Sequence, residues 1–123
     1  MSIKQRYPGH AKQAGMIAAQ CGAGAYLGRY IVVVDDDIDP YDINDVLWAM
    51  CTRSDPANDT DFIRRAWSGP LDPVIPKDKK GFSTRAIIDA TRPYEWLKDF
   101  PLASGSSAAM KAQVAKKYGK FFL

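Results

Sequence analysis

Five aspartates stand close together after a run of valines, in the stretch VVVDDDIDPYD at residues 32–42. Carboxylates grouped in this way can bind a divalent metal, accept a phosphoryl group, or hold the turn between a strand and a helix. Asp35, Asp37 and Asp39 have the spacing of the first three ligands of a calcium-binding loop. Such a loop also needs a glycine at its sixth position and a glutamate at its twelfth, where this chain has a proline and a valine. The pattern therefore predicts no calcium site.

Phosphoryl transfer and a structural role are the remaining interpretations of this cluster. A strand that ends in Asp-x-Asp is typical of enzymes that form an aspartyl phosphate, but those folds need further acids and a lysine around magnesium. No second acidic pair follows a strand in this chain. Carboxylates after a strand also accept backbone N–H groups, favour the positive end of the next helix and pair with arginines. Composition favours this structural role, with Arg53 as the predicted partner.

The residues that could form a nucleophile–base pair are few. His10 is the only histidine, and Cys21 and Cys51 are the only cysteines. Nothing in the sequence brings a cysteine to the histidine, so no catalytic Cys–His pair is predicted. Both cysteines lie in apolar helical segments, which indicates reduced, packed thiols of a cytoplasmic protein.

Length and composition indicate one globular domain. The chain has 123 residues, of which 46% are hydrophobic and 25% charged, with a net charge of +3. The basic residues at 77–80 and 116–117 are predicted to be solvated faces, so no nucleic-acid partner is expected. No apolar run is long enough for a membrane span and no secretory signal is visible, so we expect a cytoplasmic protein without membrane contact.

Hydrophobic periodicity predicts the elements of the first half. They are a strand within 1–7, a helix over 10–21, a glycine turn over 22–28, a buried strand over 29–34 and a helix over 43–52. Asp42 is predicted to cap the last helix. Its buried face is predicted from Ile43, Val46, Leu47 and Met50.

The second half is predicted to contain a strand over 61–67, which would complete a right-handed β-α-β crossover with the strand at 29–34. A long irregular loop over 68–83, a strand with its turn over 84–91 and a helical turn within 92–101 follow. A C-terminal helix begins after Ser106 or Ser107 and ends in three large apolar residues, Phe121, Phe122 and Leu123. The expected fold is a single α/β domain with a mostly parallel sheet flanked by helices and a protruding C-terminal helix.

Several of these segments together resemble one family. They are YPGHAK at 7–12, VVVDDDID at 32–39, NDVLWAMCTRSDP at 44–56, PLDP at 70–73 and IIDATRP at 87–93. In this order they are similar to the C-terminal region of the UbiD-type decarboxylases, and residues 3–123 are identified as a UbiD-like C-terminal α/β domain. The resemblance implies reversible decarboxylation of aromatic or α,β-unsaturated acids with prenylated FMN, whose phosphate a divalent metal and potassium hold. The segment at 9–30 looks most similar to the branch that acts on phenolic acids.

The resemblance also implies which loops of this domain approach the active site. In the family the C-terminal domain closes over the active site and builds the dimer. Gly69, Pro70 and Leu71 match its substrate-lining loop, with Leu71 as an apolar wall. Gly24, Tyr26 and Arg29 are the residues expected near the cofactor, whereas His10 and Lys12 are expected at a domain junction.

The chain departs from the family in lacking the middle domain that carries the catalytic Glu-Arg-Glu set. Glu95 is its only glutamate, so no catalytic residue and no metal ligand can be carried over to it. The resemblance then implies a C-terminal part or small subunit that is inactive alone. Its N-terminal and middle domains would lie on another chain, in a homo-oligomeric assembly. The alternative is a non-catalytic assembly or regulatory subunit that reuses the same domain.

Overall fold

The computed structural model describes residues 1–119, which form a four-stranded sheet with helices on both faces. The elements in chain order are β1 Ser2–Ile3, α1 His10–Gln20, α2 Gly22–Ala25, β2 Tyr30–Asp35, α3 Ile43–Arg53, β3 Thr60–Trp67, β4 Phe82–Ala90 and α4 Ala108–Tyr118. Single 3-10 turns lie at Lys77–Lys79 and Tyr94–Trp96. The glycine turn predicted over 22–28 is thus partly helical, and the thiol of Cys21 accepts a hydrogen bond at the start of α2.

The sheet has the strand order β1-β2-β4-β3. Strand β1 is parallel to β2 and β2 is parallel to β4, whereas β3 pairs antiparallel with β4. The predicted fold class is therefore confirmed. The predicted crossover between β2 and β3 is wrong, because β4 takes the place beside β2. The apolar run of β4 fits the middle of the sheet, and the alternating burial of β3 fits an edge strand.

Helix α3 covers one face of the sheet, where Val34, Ile38, Ala49 and Ala90 form a buried cluster. Val46 and Met50 pack against this cluster, as predicted. Ile43 and Leu47 were predicted on the same face, but they are 65% and 49% exposed. The buried positions of α3 are Ala49 and Arg53, because the helix turns its small residue to the sheet and its arginine to the acidic cluster.

The predicted caps of α3 and α4 are both present. Asp42 accepts a hydrogen bond from the backbone N–H of Asn44 at 2.8 Å, and Ser107 accepts one from Met110 at 3.2 Å. All residues of α4 are exposed, as expected of a protruding helix. The apolar ending predicted at 121–123 lies outside the described residues. Within residues 1–119, no helix is long and apolar enough to cross a membrane.

Helix α1 covers the other face and approaches it closely at Gly15. A Cβ atom at this position would lie 2.4 Å from Ile87 Cγ2 and 3.2 Å from Val33 Cγ2. Both of these side chains are fully buried. We expect Gly15→Ala to lower the free energy of unfolding by about 1–3 kcal/mol through overpacking, despite the better helix propensity of alanine.

Urea unfolding of the 123-residue chain measures this effect. The matched control is Gly22→Ala in α2, where a Cβ atom meets nothing within 4 Å. Equal stability of the Gly15→Ala variant and the parent would contradict the close approach of α1 to the sheet.

Candidate functional site

The acidic cluster lies at the edge where the parallel strands β2 and β4 end. Asp35 is 2% exposed and accepts hydrogen bonds from Gln5 Nε2 at 2.8 Å, Arg53 Nη1 at 2.9 Å and the Arg92 backbone N–H at 2.8 Å. Arg92 Nε adds a fourth bond at 3.0 Å. The predicted pairing with Arg53 is confirmed. Since the oxygens of Asp35 are already bound by these donors, this carboxylate is a structural group.

Two of the neighbouring carboxylates also hold the turn. Asp37 accepts two hydrogen bonds from Arg53, both at 2.8 Å, and Asp39 accepts the backbone N–H of Tyr41 at 2.9 Å. Arg53 lowers the pKa of Asp37 below its ordinary value through these bonds. This contribution to stability is therefore present above the unfolded-state pKa and is lost as pH falls through the folded-state value. Asp36 is exposed and has no side-chain hydrogen bond to residues 1–119.

A further carboxylate, Asp89, lies near the end of β4. It accepts hydrogen bonds from the backbone N–H and the hydroxyl of Thr91, at 2.9 and 2.7 Å. Burial nevertheless raises the pKa of Asp89 above its ordinary value. Among residues 1–119, no three His, Cys, Asp or Glu side chains come together as a group that could hold a metal ion. The described residues therefore supply no complete metal site of their own.

The two segments predicted to approach an active site meet in the structure. The backbone N–H of Gly69 donates to the Tyr26 carbonyl at 2.7 Å, and Arg29 forms an ion pair with the buried Asp72. A Cβ atom at Gly69 would lie 2.8 Å from the Tyr26 ring, so only glycine allows this contact without a shift. The segments 22–29 and 69–73 thus form one surface.

Arg85 joins the segment at 22–29 to Trp67 at the end of β3, and it was missed in the sequence. Its side chain comes from β4 and is almost completely buried. Nη1 donates to the carbonyls of Gly24 and Gly28 at 2.7 and 3.1 Å, and Nη2 donates to those of Ala25 and Trp67. The only signal in the sequence was a charged residue beside the apolar run of β4.

The predicted site residues differ in what they leave accessible. Leu71 is 73% exposed and Pro70 is also exposed, whereas Gly69 is buried. Tyr26 is 43% exposed, and its ring lies 5.8 Å from that of Trp67. The carbonyl of Gly24 is bound by Arg85 and the guanidinium of Arg29 by Asp72. Leu71 is therefore the most exposed apolar side chain of this surface, ahead of Leu27 and Tyr26.

A cavity of about 610 Å³ opens beside this surface, between the loop after Leu71 and the start of β4. We call it the cationic groove, and its main lining residues are Arg29, Arg65, Val74, Ile75, Lys79 and Phe82. The guanidinium of Arg65 lies over the Phe82 ring, 5.3 Å from its centroid. Arg65 was missed because its direction depends on an irregularity of β3 between Ile63 and Ala66.

The sequence also offered two cysteines, His10 and Lys12 for other roles. Cys21 and Cys51 are free and exposed, so the prediction of packed thiols is wrong. His10 stacks on Tyr7 with ring centroids 4.5 Å apart, and Lys12 forms an exposed ion pair with Asp61 at 2.9 Å. These contacts lie within the domain.

Comparison with known proteins places the chain in a family. The model of the 3-octaprenyl-4-hydroxybenzoate carboxy-lyase C-terminal domain matches residues 1–90. Phenolic acid decarboxylases of Sedimentibacter hydroxybenzoicus and Bacillus subtilis are 36% and 37% identical over 93 residues. These matches cover 76% of this chain but 19% of each relative, so the chain spans about a fifth of their length.

Solved structures agree in fold. The UbiD-class enzyme HmfF of Pelotomaculum thermopropionicum, in complex with FMN, matches with a TM-score of 0.77 and 27% identity over 95% of this chain and 25% of its own. The closed form of the vanillic acid decarboxylase of Sedimentibacter hydroxybenzoicus matches with a TM-score of 0.74 and 28% identity over 98% of this chain and 25% of its own. Family match, fold and motifs agree, and the chain belongs to the UbiD C-terminal domain family.

Proposed function

We propose that residues 3–123 work as the C-terminal part or small subunit of a UbiD-type carboxy-lyase. The complete enzyme would reversibly decarboxylate aromatic or α,β-unsaturated acids, and this domain would close its active site and join its subunits. The observation that carries the proposal is that segments 22–29 and 69–73 contact each other and form one surface, on which Leu71 is exposed. Family membership and the names of the phenolic acid decarboxylases support the substrate class.

In this proposal the domain contributes a wall, and the chemistry comes from elsewhere in the enzyme. Prenylated FMN, held with its divalent metal and potassium by the other domains, would supply the electron sink for decarboxylation. Glu95 is the only glutamate and is exposed in a 3-10 turn, away from Leu71 in sequence, so this chain offers no pair of acid–base glutamates. Leu71 would exclude water from one side of the substrate, because an exposed aliphatic side chain gains free energy when an apolar surface covers it.

The first experiment isolates the chain from its own source. It records the native mass and the absorbance spectrum of the chromatographic peak that contains the chain. A large complex with flavin absorbance supports the proposal. A small, colourless species would overturn it.

Substitution of Leu71 tests the wall directly in that complex. We expect Leu71→Ala to change the ratio of kcat/KM for vanillate to that for 4-hydroxybenzoate by about tenfold, since one pocket side chain discriminates substrates by this order. Leu102→Ala is the matched control, because Leu102 is exposed outside the loop. An unchanged ratio in the Leu71→Ala enzyme would remove Leu71 from the substrate pocket.

The second candidate function is a non-catalytic assembly or regulatory subunit. It is favoured by α4, whose Met110, Val114 and Tyr118 are each at least 42% exposed and repeat every four residues along one side of the helix. A stripe of this kind is typical of a helix that packs against a partner. If a complete decarboxylase co-purifies with the chain and remains fully active without it, the second function replaces the first.

A further inference from the structure

We propose that the cationic groove binds an aromatic carboxylate, with the ring against Phe82 and the carboxylate between Arg29 and Arg65. This site would lie beside the Leu71 wall. The inference adds a binding site to the proposed function, and it rests on that function for what the bound acid does in the enzyme. Binding itself needs only this chain.

The size and floor of the groove suit a small aromatic molecule. Its volume of about 610 Å³ falls within the ~300–1,000 Å³ range of small-molecule sites. Val74, Ile75 and Phe82 provide apolar surface, and Val74 and Phe82 are more than half exposed. A flat ring would cover apolar area that now faces solvent.

The groove has more cationic than anionic side chains, which favours an anionic ligand. Arg29, Arg65 and Lys79 line it, and Asp78 is the one carboxylate among its lining residues. Arg29 is fixed in direction by its ion pair with Asp72, while Arg65 has no ion pair with a carboxylate of residues 1–119. Guanidinium groups bind carboxylates through two parallel hydrogen bonds. The apolar lining favours an aromatic carboxylate over inorganic phosphate, because phosphate has no apolar surface with which to cover Val74, Ile75 and Phe82.

The backbone of β3 is strained to place Arg65 there. Arg65 has a φ of 57°, the one positive value outside glycine among residues 1–119, and it lies where the pairing register shifts. This left-handed conformation is unfavourable for a residue with a side chain, and such strain clusters at binding sites. The bulge puts Arg65 over Phe82, while the neighbouring Arg64 does not line the groove.

The test is an NMR titration of the 123-residue chain with benzoate, compared with acetate, benzamide and inorganic phosphate. We expect benzoate to shift the amide signals of residues 74–84. Acetate lacks the ring and benzamide lacks the charge, so both should bind at least fivefold more weakly. Arg65→Gln should weaken benzoate binding about tenfold, because a neutral amide replaces a charged donor that can make two hydrogen bonds. Arg64→Gln should leave it unchanged.

The inference is overturned if benzoate causes no shifts at 74–84, if Arg64→Gln weakens binding as much as Arg65→Gln, or if phosphate binds more tightly than benzoate. Should Arg65→Gln fail to fold, Lys79→Gln on the exposed 3-10 turn replaces it, with an expected loss of about threefold. Benzoate binding by the chain together with an assembly that lacks decarboxylase activity would overturn only the proposed function. An active assembly whose C-terminal domain binds no benzoate would overturn only this inference.

Discussion

The Asp35→Ala substitution is expected to lower the free energy of unfolding of this domain by about 3–5 kcal/mol, because it leaves a buried arginine without its partner. The side chain of Arg53 is 4% exposed and donates to Asp35 at 2.9 Å. Its remaining carboxylate, Asp37, is half exposed and is therefore screened by solvent. Asp35 also holds the amide of Gln5 and the backbone of Arg92, so the segments that follow β1, β2 and β4 lose a common anchor.

Urea unfolding of the 123-residue chain measures this loss, and Asp36→Ala is the matched control. Asp36 is the next residue and is exposed, so its replacement should change stability by no more than about 0.5 kcal/mol. In a double-mutant cycle with Arg53→Met, the two substitutions should cost less together than the sum of their separate effects. A loss below about 1 kcal/mol for Asp35→Ala would show that the buried ion pair is not needed for the fold.

Sequence reasoning succeeded where a local rule decides the structure. The cap at Asp42 and the cap at Ser107 follow from backbone N–H groups that every helix start leaves free. The pairing of Arg53 with the acidic cluster followed from one cation at the end of the helix beside that cluster. The meeting of segments 22–29 and 69–73 was expected only through the resemblance, since nothing in either segment specifies the other.

Sequence reasoning failed where the structure depends on pairing between residues that lie far apart in the chain. The place of β3 at the sheet edge depends on which strand pairs better with β2, and the chain order of the strands does not encode this choice. The buried face of α3 was misassigned because Arg53 had to be buried with Asp35, which displaced Ile43 and Leu47 toward solvent. The direction of the Arg65 side chain depends on a bulge that contains no glycine, so no residue in the sequence indicated this bulge.

Arg85 is the most informative of the residues that the sequence did not reveal, because its charge is buried without an ion pair to any carboxylate of residues 1–119. Four carbonyl oxygens, those of Gly24, Ala25, Gly28 and Trp67, accept its hydrogen bonds. Carbonyls that share one guanidinium must hold their relative positions, since each lost bond leaves a buried acceptor unsatisfied. Arg85 therefore positions the segment at 22–29 against the strand that leads into Leu71.

We expect Arg85→Met to lower the free energy of unfolding by about 3 kcal/mol and Arg85→Lys by less, because one ammonium group replaces part of the fork. Arg64→Met, on the exposed side of β3, is the matched control and should be nearly neutral. Hydrogen exchange followed by NMR separates positioning from general stability, since the Gly69 N–H bonds to Tyr26 across the two segments. In the Arg85→Lys variant, the protection of the Gly69 amide against hydrogen exchange should fall more than that of the Val33 amide in the sheet core. Equal loss at both amides would show that Arg85 stabilises the domain as a whole and does not position the Leu71 loop.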